Sequence, residues 1–211
     1  AEARIKTDSV DASTLADLLR ANLVAESYIP PKDVRRLREV TRERKTFVKQ
    51  TTQIKNRIHA ILIKRGAEFG YATLCESAIL WIKAKFPDDK IMLHYLELLE
   101  FHKKKLGEID KTIAEKSYAD KNAKLLMTIP GIGIIRSLDI IAEIGEINRF
   151  SSADHLSSYS GLVPSIHQSG NTLYFGRLIR QSSKALKSDF IEASWSIVRT
   201  KESNPLQEFY K

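Results

Sequence analysis

The sequence predicts a mainly α protein: a long coiled-coil-like helical hairpin, then a compact helical domain holding a helix-hairpin-helix and a small β-hairpin. Three observations carry this. Two long runs, from residue 32 to about 64 and from 88 to beyond 113, repeat apolar residues every three or four positions. After about residue 121 glycine and serine become frequent and the helical runs shorten. Between two apolar runs of that second part stands Ile129-Pro130-Gly131-Ile132-Gly133, a tight-turn sequence.

The elements follow in order. Residues 13–23 read as a short amphipathic helix with Leu15, Leu18 and Leu19 on one side, stopped by Tyr28-Ile29-Pro30-Pro31 because tandem proline disfavours helix at the residue before it. The first long helix starts at Pro31 or Lys32, carries Val34, Leu37, Val40, Phe47, Thr51, Ile54, Ile58 and Ile61, and runs to about Lys64. Gly66 and Gly70 bracket a break, and a shorter apolar segment ends at Phe86-Pro87. The second long helix carries Ile91, Tyr95, Leu98, His102, Leu106, Ile109 and Ile113. Its seam, like that of the first, is narrower than a full core-facing stripe, which suggests an antiparallel hairpin whose seam can also pair with another copy of the chain. A helix over 134–144 follows the Pro-Gly turn, another opens at Ser151-Ser152-Ala153 and closes at Gly161-Leu162-Val163-Pro164, and a last one covers 182–200. Between them, residues around Ser169-Gly170-Asn171-Thr172 can form a hairpin on the Gly-Asn turn. The expected division is 1–29, 30–119 and 120–211.

Composition excludes several classes of function. With 211 residues and 43% hydrophobic content the chain has enough apolar material for a core. A single cysteine, Cys75, cannot form an internal disulfide, and the chain lacks a Cys/His cluster of zinc spacing, so a reducing, cytoplasmic setting is expected. The longest apolar stretches are too short to span a membrane and are interrupted by Arg136 and Asp139. His94 and His102 have no carboxylate or cysteine partner at metal spacing and read as surface or seam residues.

The net charge of +8 is concentrated. Between Lys32 and Arg65 twelve basic residues, among them Arg35, Arg38, Arg42 and Lys45, face three acids. A second basic zone, 165–187, holds Arg177, Arg180, Lys184 and Lys187 and no acid. Two basic zones around a neutral body fit a polyanion, DNA above all, better than they fit a device for solubility.

Three motifs carry chemistry. Gly131 and Gly133 allow a tight turn that points the next helix's first amides outward, toward a phosphate; a plain interhelical connection is the alternative. Asp8 and Asp11, three residues apart at a helix start, can share a face and ligate a divalent metal, or can act as caps with Asp11 at the N-cap. Ser169, beside Gly170 and ahead of Arg177 and Arg180, has the setting of a nucleophile on a phosphodiester, the arginines neutralising the nonbridging oxygens; a turn serine is the alternative.

Taken in order, Lys-Thr-Asp-x-x-Asp-Ala, Tyr-x-Pro-Pro, the long basic helix, Ile-Pro-Gly-Ile-Gly, Ala-Glu-Ile-Gly, Phe-x-Ser-Ala, Tyr-x-Gly-Leu-Val-Pro and Gln-Ser-Gly resemble the insertion-sequence one-hundred-ten family of DEDD transposases, which includes the pilin-gene invertases. The resemblance implies a C-terminal portion of a DNA transposase or recombinase. Its RuvC-like part would bind Mg²⁺ through an Asp, a Glu and a closing Asp-x-x-Asp, of which this chain has only Asp8 and Asp11, so that it is expected to be incomplete and inactive alone and not to hold the ion tightly. The resemblance also implies a coiled coil that pairs subunits, Ser169 as nucleophile, and a structured guide RNA as a further partner. The chain departs from the family pattern after Ser169-Gly170, where Asn171-Thr172-Leu173-Tyr174-Phe175 replaces a strongly basic stretch, and at Ser182-Ser183, where Gly-Asn is usual. A nonenzymatic helix-hairpin-helix scaffold that binds nucleic acid is the competing expectation.

Overall fold

The computed structural model describes residues 7–24, 27–170, 172–199 and 205–210. It is mainly α, and the chain divides into a unit of residues 1–31 and a unit of residues 32–211.

The first unit holds α1 (Asp8–Arg20), which starts and ends earlier than the periodicity predicts. Thr7, extended at φ −133°, is the N-cap and its hydroxyl accepts from the Val10 amide. Both Asp8 and Asp11 therefore lie within the first turn, where carboxylates suit the positive end of the helix. Asp11 is not the cap, because the hydroxyl that closes the first turn sits four residues earlier.

In the second unit, α2 (Lys32–Lys64) and α4 (Lys90–Ala119) form the predicted hairpin, with α3 (Glu76–Lys85) inserted between them. Three contacts fix the direction: Arg65 with Asp89, Phe47 with His102 and Arg44 with Asp110. As the position on α2 falls, the position on α4 rises, so the helices are antiparallel. The core at this end is Ile54, Ile58, Leu62, Ile82, Met92, Leu96 and Leu99, each buried; filling it is worth roughly 1.5–3 kcal/mol per side chain relative to exposure.

Over the first three turns of α4 the buried stripe is displaced by one residue from the predicted one, whereas Ile113, further along, is buried as predicted. Met92, Leu96 and Leu99 join the core with α2, while Ile91 (54%) and Leu98 (41%) are exposed. The sequence there is apolar on adjacent positions, Ile91-Met92 and Leu98-Leu99, so two parallel stripes share the same spacing and only packing against α2 selects one. The histidines fall as expected. His94 is exposed, and His102 is half-buried against the Phe47 ring.

Past Arg44 the hairpin is joined by the helices of the second half. The element α5 (Lys121–Met127) begins at Asp120, whose carboxylate caps it through the amides of Asn122 and Ala123. The turn leads to α6 (Ile134–Ile144), which contacts α2, α4, α5 and the later α8 (Lys184–Val198). The Ser117 hydroxyl, buried on α4, donates to the Ile134 carbonyl and ties the base of α4 to the start of α6. Ile132, Ile140, Leu186 and Ala193 form a second small core, flanked by Leu156 and Tyr159; Leu156 and Tyr159 lie on α7 (Ala153–Ser160). The short α9 (Pro205–Tyr210), which periodicity does not reveal, packs its Tyr210 ring edge-on to Trp195.

The predicted β-hairpin forms from β1 (Pro164–Ser169) and β2 (Thr172–Leu178), antiparallel, with Ser169 opposite Thr172. Gly170 takes φ +55° in the connection, the left-handed region that glycine tolerates; Asn171, the other turn residue, lies outside the described residues.

Candidate functional site

Ser169 is exposed at the end of β1. Its companions follow from the register. Paired residues share a face, and faces alternate along each strand, so His167–Tyr174 and Ser169–Thr172 lie on one side and Ile166–Phe175 and Gln168–Leu173 on the other. Pro164 pairs with Leu178, so from the Ile166–Phe175 pair β1 takes two steps and β2 three to return to the apolar side. The extra residue on β2 is a bulge. It sets both Gly176 and Arg177 opposite Ser165, on the face of Ser169.

Gly176 fits that placement. A Cβ there would collide with the Ser165 hydroxyl and stand 3.4 Å from His167 Nε2, so the two side chains occupy the space that glycine leaves. The hairpin is thus two-faced. Ser169, His167, Tyr174 and Arg177 share one exposed side, while Ile166 (62% exposed), Phe175 (58%) and Leu173 (53%) share the other. Arg180 follows just beyond β2 and is exposed as well.

The Pro-Gly turn joins α5 to α6 as expected, but its two glycines are not equivalent. Gly131 has φ +84°, and a Cβ on it would stand 2.5 Å from the Ala193 carbonyl oxygen and 2.7 Å from Ile197 Cγ1 on α8. Its lack of a side chain permits both the turn and the close approach of α8. Gly133, the N-cap of α6, is ordinary extended backbone at φ −93° with open space where a Cβ would go, so only one of the two glycines is required by the fold.

The amides at the start of α6 border a cleft of about 720 Å³ whose other wall is α2, through Arg44, Lys45 and Lys49, with Arg136 and Glu192 at its rim. Most cations there are already neutralised. Arg44 bonds Asp110 at 2.5 Å and Arg136 bonds Glu192 at 3.0 Å. Lys45 Nζ lies 2.9 Å from both Asp189 oxygens and 3.4 Å from Asp139.

The same holds further along α2. Arg42 clasps Glu143 with two bonds, 2.8 and 3.0 Å, and Arg38 donates to the Ala142 and Glu143 carbonyls at 2.5 and 2.8 Å, satisfying the end of α6 where the helix dipole is negative. Of the four α2 residues expected to contact nucleic acid, Arg38, Arg42 and Lys45 thus hold the second half of the chain onto the hairpin. Arg35 alone of the four is exposed without an internal partner, as are Arg36 and Lys49 among the described residues. The carboxylates responsible, Asp139, Glu143 and Asp189, escape sequence reading because each lies about a hundred residues or more from its cation; the one available signal is three acids inside apolar helical runs.

Their titration follows from their surroundings. Burial pushes Asp139 up to about 6, and neighbouring Asp189 adds to this while the Lys45 charge opposes it; one Asp139 oxygen has no hydrogen-bond partner. Burial also raises Asp189 against the pull of Lys45. At Glu143 burial acts upward too, but the Arg42 hydrogen bond and the charges of Arg42 and Arg38 outweigh it, and the group ends below the usual carboxylate range.

Asp8 and Asp11 are exposed on the first turn of α1, three residues apart. They are hard oxygen donors of the type that Mg²⁺ takes, but among the described residues no group of three His, Cys, Asp or Glu stands close enough to hold a metal ion. The pair would supply two ligands of a larger set. They belong to the first unit and Ser169 to the second.

Known proteins resemble this chain over most of its length. A family model described as "Transposase IS116/IS110/IS902 family" matches residues 123–211, and a DEDD transposase model of the IS110 type matches residues 1–64. A putative transposase, y4qE, of Sinorhizobium fredii is 24% identical over 92% of this chain and 48% of its own length. The transposase for insertion sequence element IS1111A of Coxiella burnetii is 26% identical over 92% of this chain and 55% of its own. The pilin gene-inverting protein of Moraxella lacunata is 33% identical over 60% of this chain and 37% of its own. The chain spans about half the length of the first two of these relatives. With one IS110-type transposase model on its first third, another on its last two fifths, and relatives of that kind aligned across most of its length, the chain belongs to the IS110 family of DEDD transposases.

Proposed function

We propose that these 211 residues are part of a DNA transposase or site-specific recombinase that cuts and joins strands through Ser169. The observation that carries this is the hairpin: in a chain of this family, an exposed serine stands in Gln-Ser-Gly, on the face where a bulge sets Arg177. In the reaction the Ser169 oxygen attacks the scissile phosphorus while its proton passes to water, and the bond to one deoxyribose oxygen breaks, that oxygen taking a proton from water, which leaves a phosphoserine link and a free 3′ or 5′ hydroxyl. Arg177 and Arg180 neutralise the nonbridging oxygens as charge builds on them. A hydroxyl of the recipient strand then attacks the link and releases the serine.

In this reading residues 1–29 end a RuvC-like domain, and Asp8 and Asp11 contribute two carboxylates to its divalent metal site, Mg²⁺ being the ion their oxygen chemistry suits. When bound, that ion polarises phosphate oxygens. Residues 30–119 form a coiled-coil region that pairs copies of the chain, the exposed Ile91 and Leu98 offering apolar surface for this. Residues 120–211 form the domain that carries the serine, with a guide RNA as the second nucleic acid. The setting is the prokaryotic cytoplasm; among the described residues no helix is long and apolar enough to cross a membrane.

The test is strand transfer by the complete protein with metal and cognate nucleic acids. Ser169→Ala should abolish cleavage and joining, while Ser165→Ala and Ser182→Ala should retain both. Normal joining by Ser169→Ala would reject the reading.

A further inference from the structure

On the face of Ser169, the His167 and Tyr174 rings stand 6.2 Å apart, inclined by 35°, and Tyr174 is 64% exposed. Tyr174 lies diagonally across the strand pair from Ser169, a Cα separation of about 7–8 Å, within the span of one nucleotide. The apolar side chains of the hairpin are gathered on the opposite face, so this aromatic pair is not part of that patch. Between residues 165 and 187 no acid opposes Arg177, Arg180, Lys184 and Lys187, and the bulge sets Arg177 beside the rings.

Two exposed rings, one of them a polar imidazole, among cations that face no internal acid are a poor seat for a protein segment, which would need apolar area. It suits a nucleotide, whose phosphate takes the arginine and whose base takes the ring. Only an unstacked base can present its flat face to such a ring, because in a duplex both faces of each base are covered by its neighbours.

We propose that Tyr174, with His167 beside it, is a stacking platform for an unpaired DNA base next to the phosphate that Ser169 meets. The inference rests on the proposed role of Ser169 for the identity of the strand, and it assigns Tyr174 a part in positioning rather than in bond making. The class of substrate follows: DNA that is unpaired, or easily unpaired, at the exchange point, with little preference for which base is there.

The test is equilibrium binding of the 211-residue chain to a short single-stranded DNA and to its duplex at one salt concentration. The single strand should bind more tightly, and Tyr174→Ala should weaken it about tenfold while leaving the duplex affinity unchanged. Tyr174→Phe should bind as the parent does, and Tyr174→Leu, which keeps apolar bulk but has no aromatic face, should bind as Tyr174→Ala does. Single-stranded DNA carrying an abasic position at the stacked site should lose the same factor with the unaltered chain, a readout independent of how any variant folds. Overturning results are equal loss for single strand and duplex, parent-like binding by Tyr174→Leu, no effect of any abasic position, or tighter Tyr174-dependent binding of RNA of the same sequence. None of these outcomes depends on the chemistry at Ser169, which is read separately by strand transfer.

Discussion

Arg42 and Glu143, 101 residues apart in sequence, are joined by two hydrogen bonds of 2.8 and 3.0 Å, and the carboxylate is almost completely buried. With Arg38 on the end of α6 and Lys45 between Asp139 and Asp189, this makes the basic helix a docking surface for its own chain before it is a surface for anything else.

The stability of that joint depends on Lys45 and on pH. Lys45→Met leaves two buried carboxylates without a counter-charge and should cost about 3 kcal/mol at pH 7. The cost should shrink toward pH 5. Asp139 and Asp189 have folded pKa values raised above their unfolded ones, Asp139 to about 6, so the folded state holds more protons below those values, and their contribution to stability falls as pH rises through them. Glu143 acts oppositely, its contribution being lost as pH falls through its depressed folded value. Denaturant melts of the parent and Lys45→Met at pH 5 and 7 measure this, and equal costs at both would contradict the arrangement.

The salt dependence of DNA binding should be carried by the unengaged cations. Replacing Arg35, Arg36 and Lys49 by glutamine should flatten the slope of log affinity against log salt by about 0.9 for each phosphate that is no longer neutralised. Arg38→Gln, Arg42→Gln and Lys45→Gln should instead lower the melting temperature. A titration in which the second set alone flattens the slope, with no change in melting, would show that these ion pairs open to admit DNA.

The two glycines of the Pro-Gly turn should respond differently. Gly131→Ala meets both a positive φ and the Ala193 carbonyl and Ile197 side chain, and should destabilise the protein by roughly 2–4 kcal/mol. Gly133→Ala meets open space at an ordinary φ and should change stability by about 0.5 kcal/mol or less. Thermal melts decide it, and similar losses for both would restore the view that the turn needs two positions without Cβ.

Local chemistry makes much of this legible in the sequence, and distance hides the rest. Tandem proline before Lys32 and glycine after Arg65 mark the ends of α2, and the Gly170 turn marks the hairpin, because each of these residues constrains its own backbone. The start of the stripe on α4 reads one residue off because adjacent apolar positions there satisfy the same period, and only the partner helix breaks the tie, while Ile113 is buried as read. The partners of Arg38, Arg42 and Lys45 are not legible at all. A cation read along one helix looks free until the fold brings a carboxylate from a hundred residues away. The bulge that sets Arg177 opposite Ser165, on the face of Ser169, belongs to the same class, since a two-against-one register exists only between strands.

Ser169 as the residue that holds DNA covalently is the central claim, and the most direct measurement is identification of the linked amino acid. The complete protein with metal and cognate nucleic acids is stopped in mid-reaction, the DNA is digested by nuclease, and the peptide that retains a nucleotide is sequenced by mass spectrometry. The account predicts a phosphodiester remnant on Ser169 and none in Ser169→Ala. A remnant on Ser165, on Ser182 or on any other residue would contradict it.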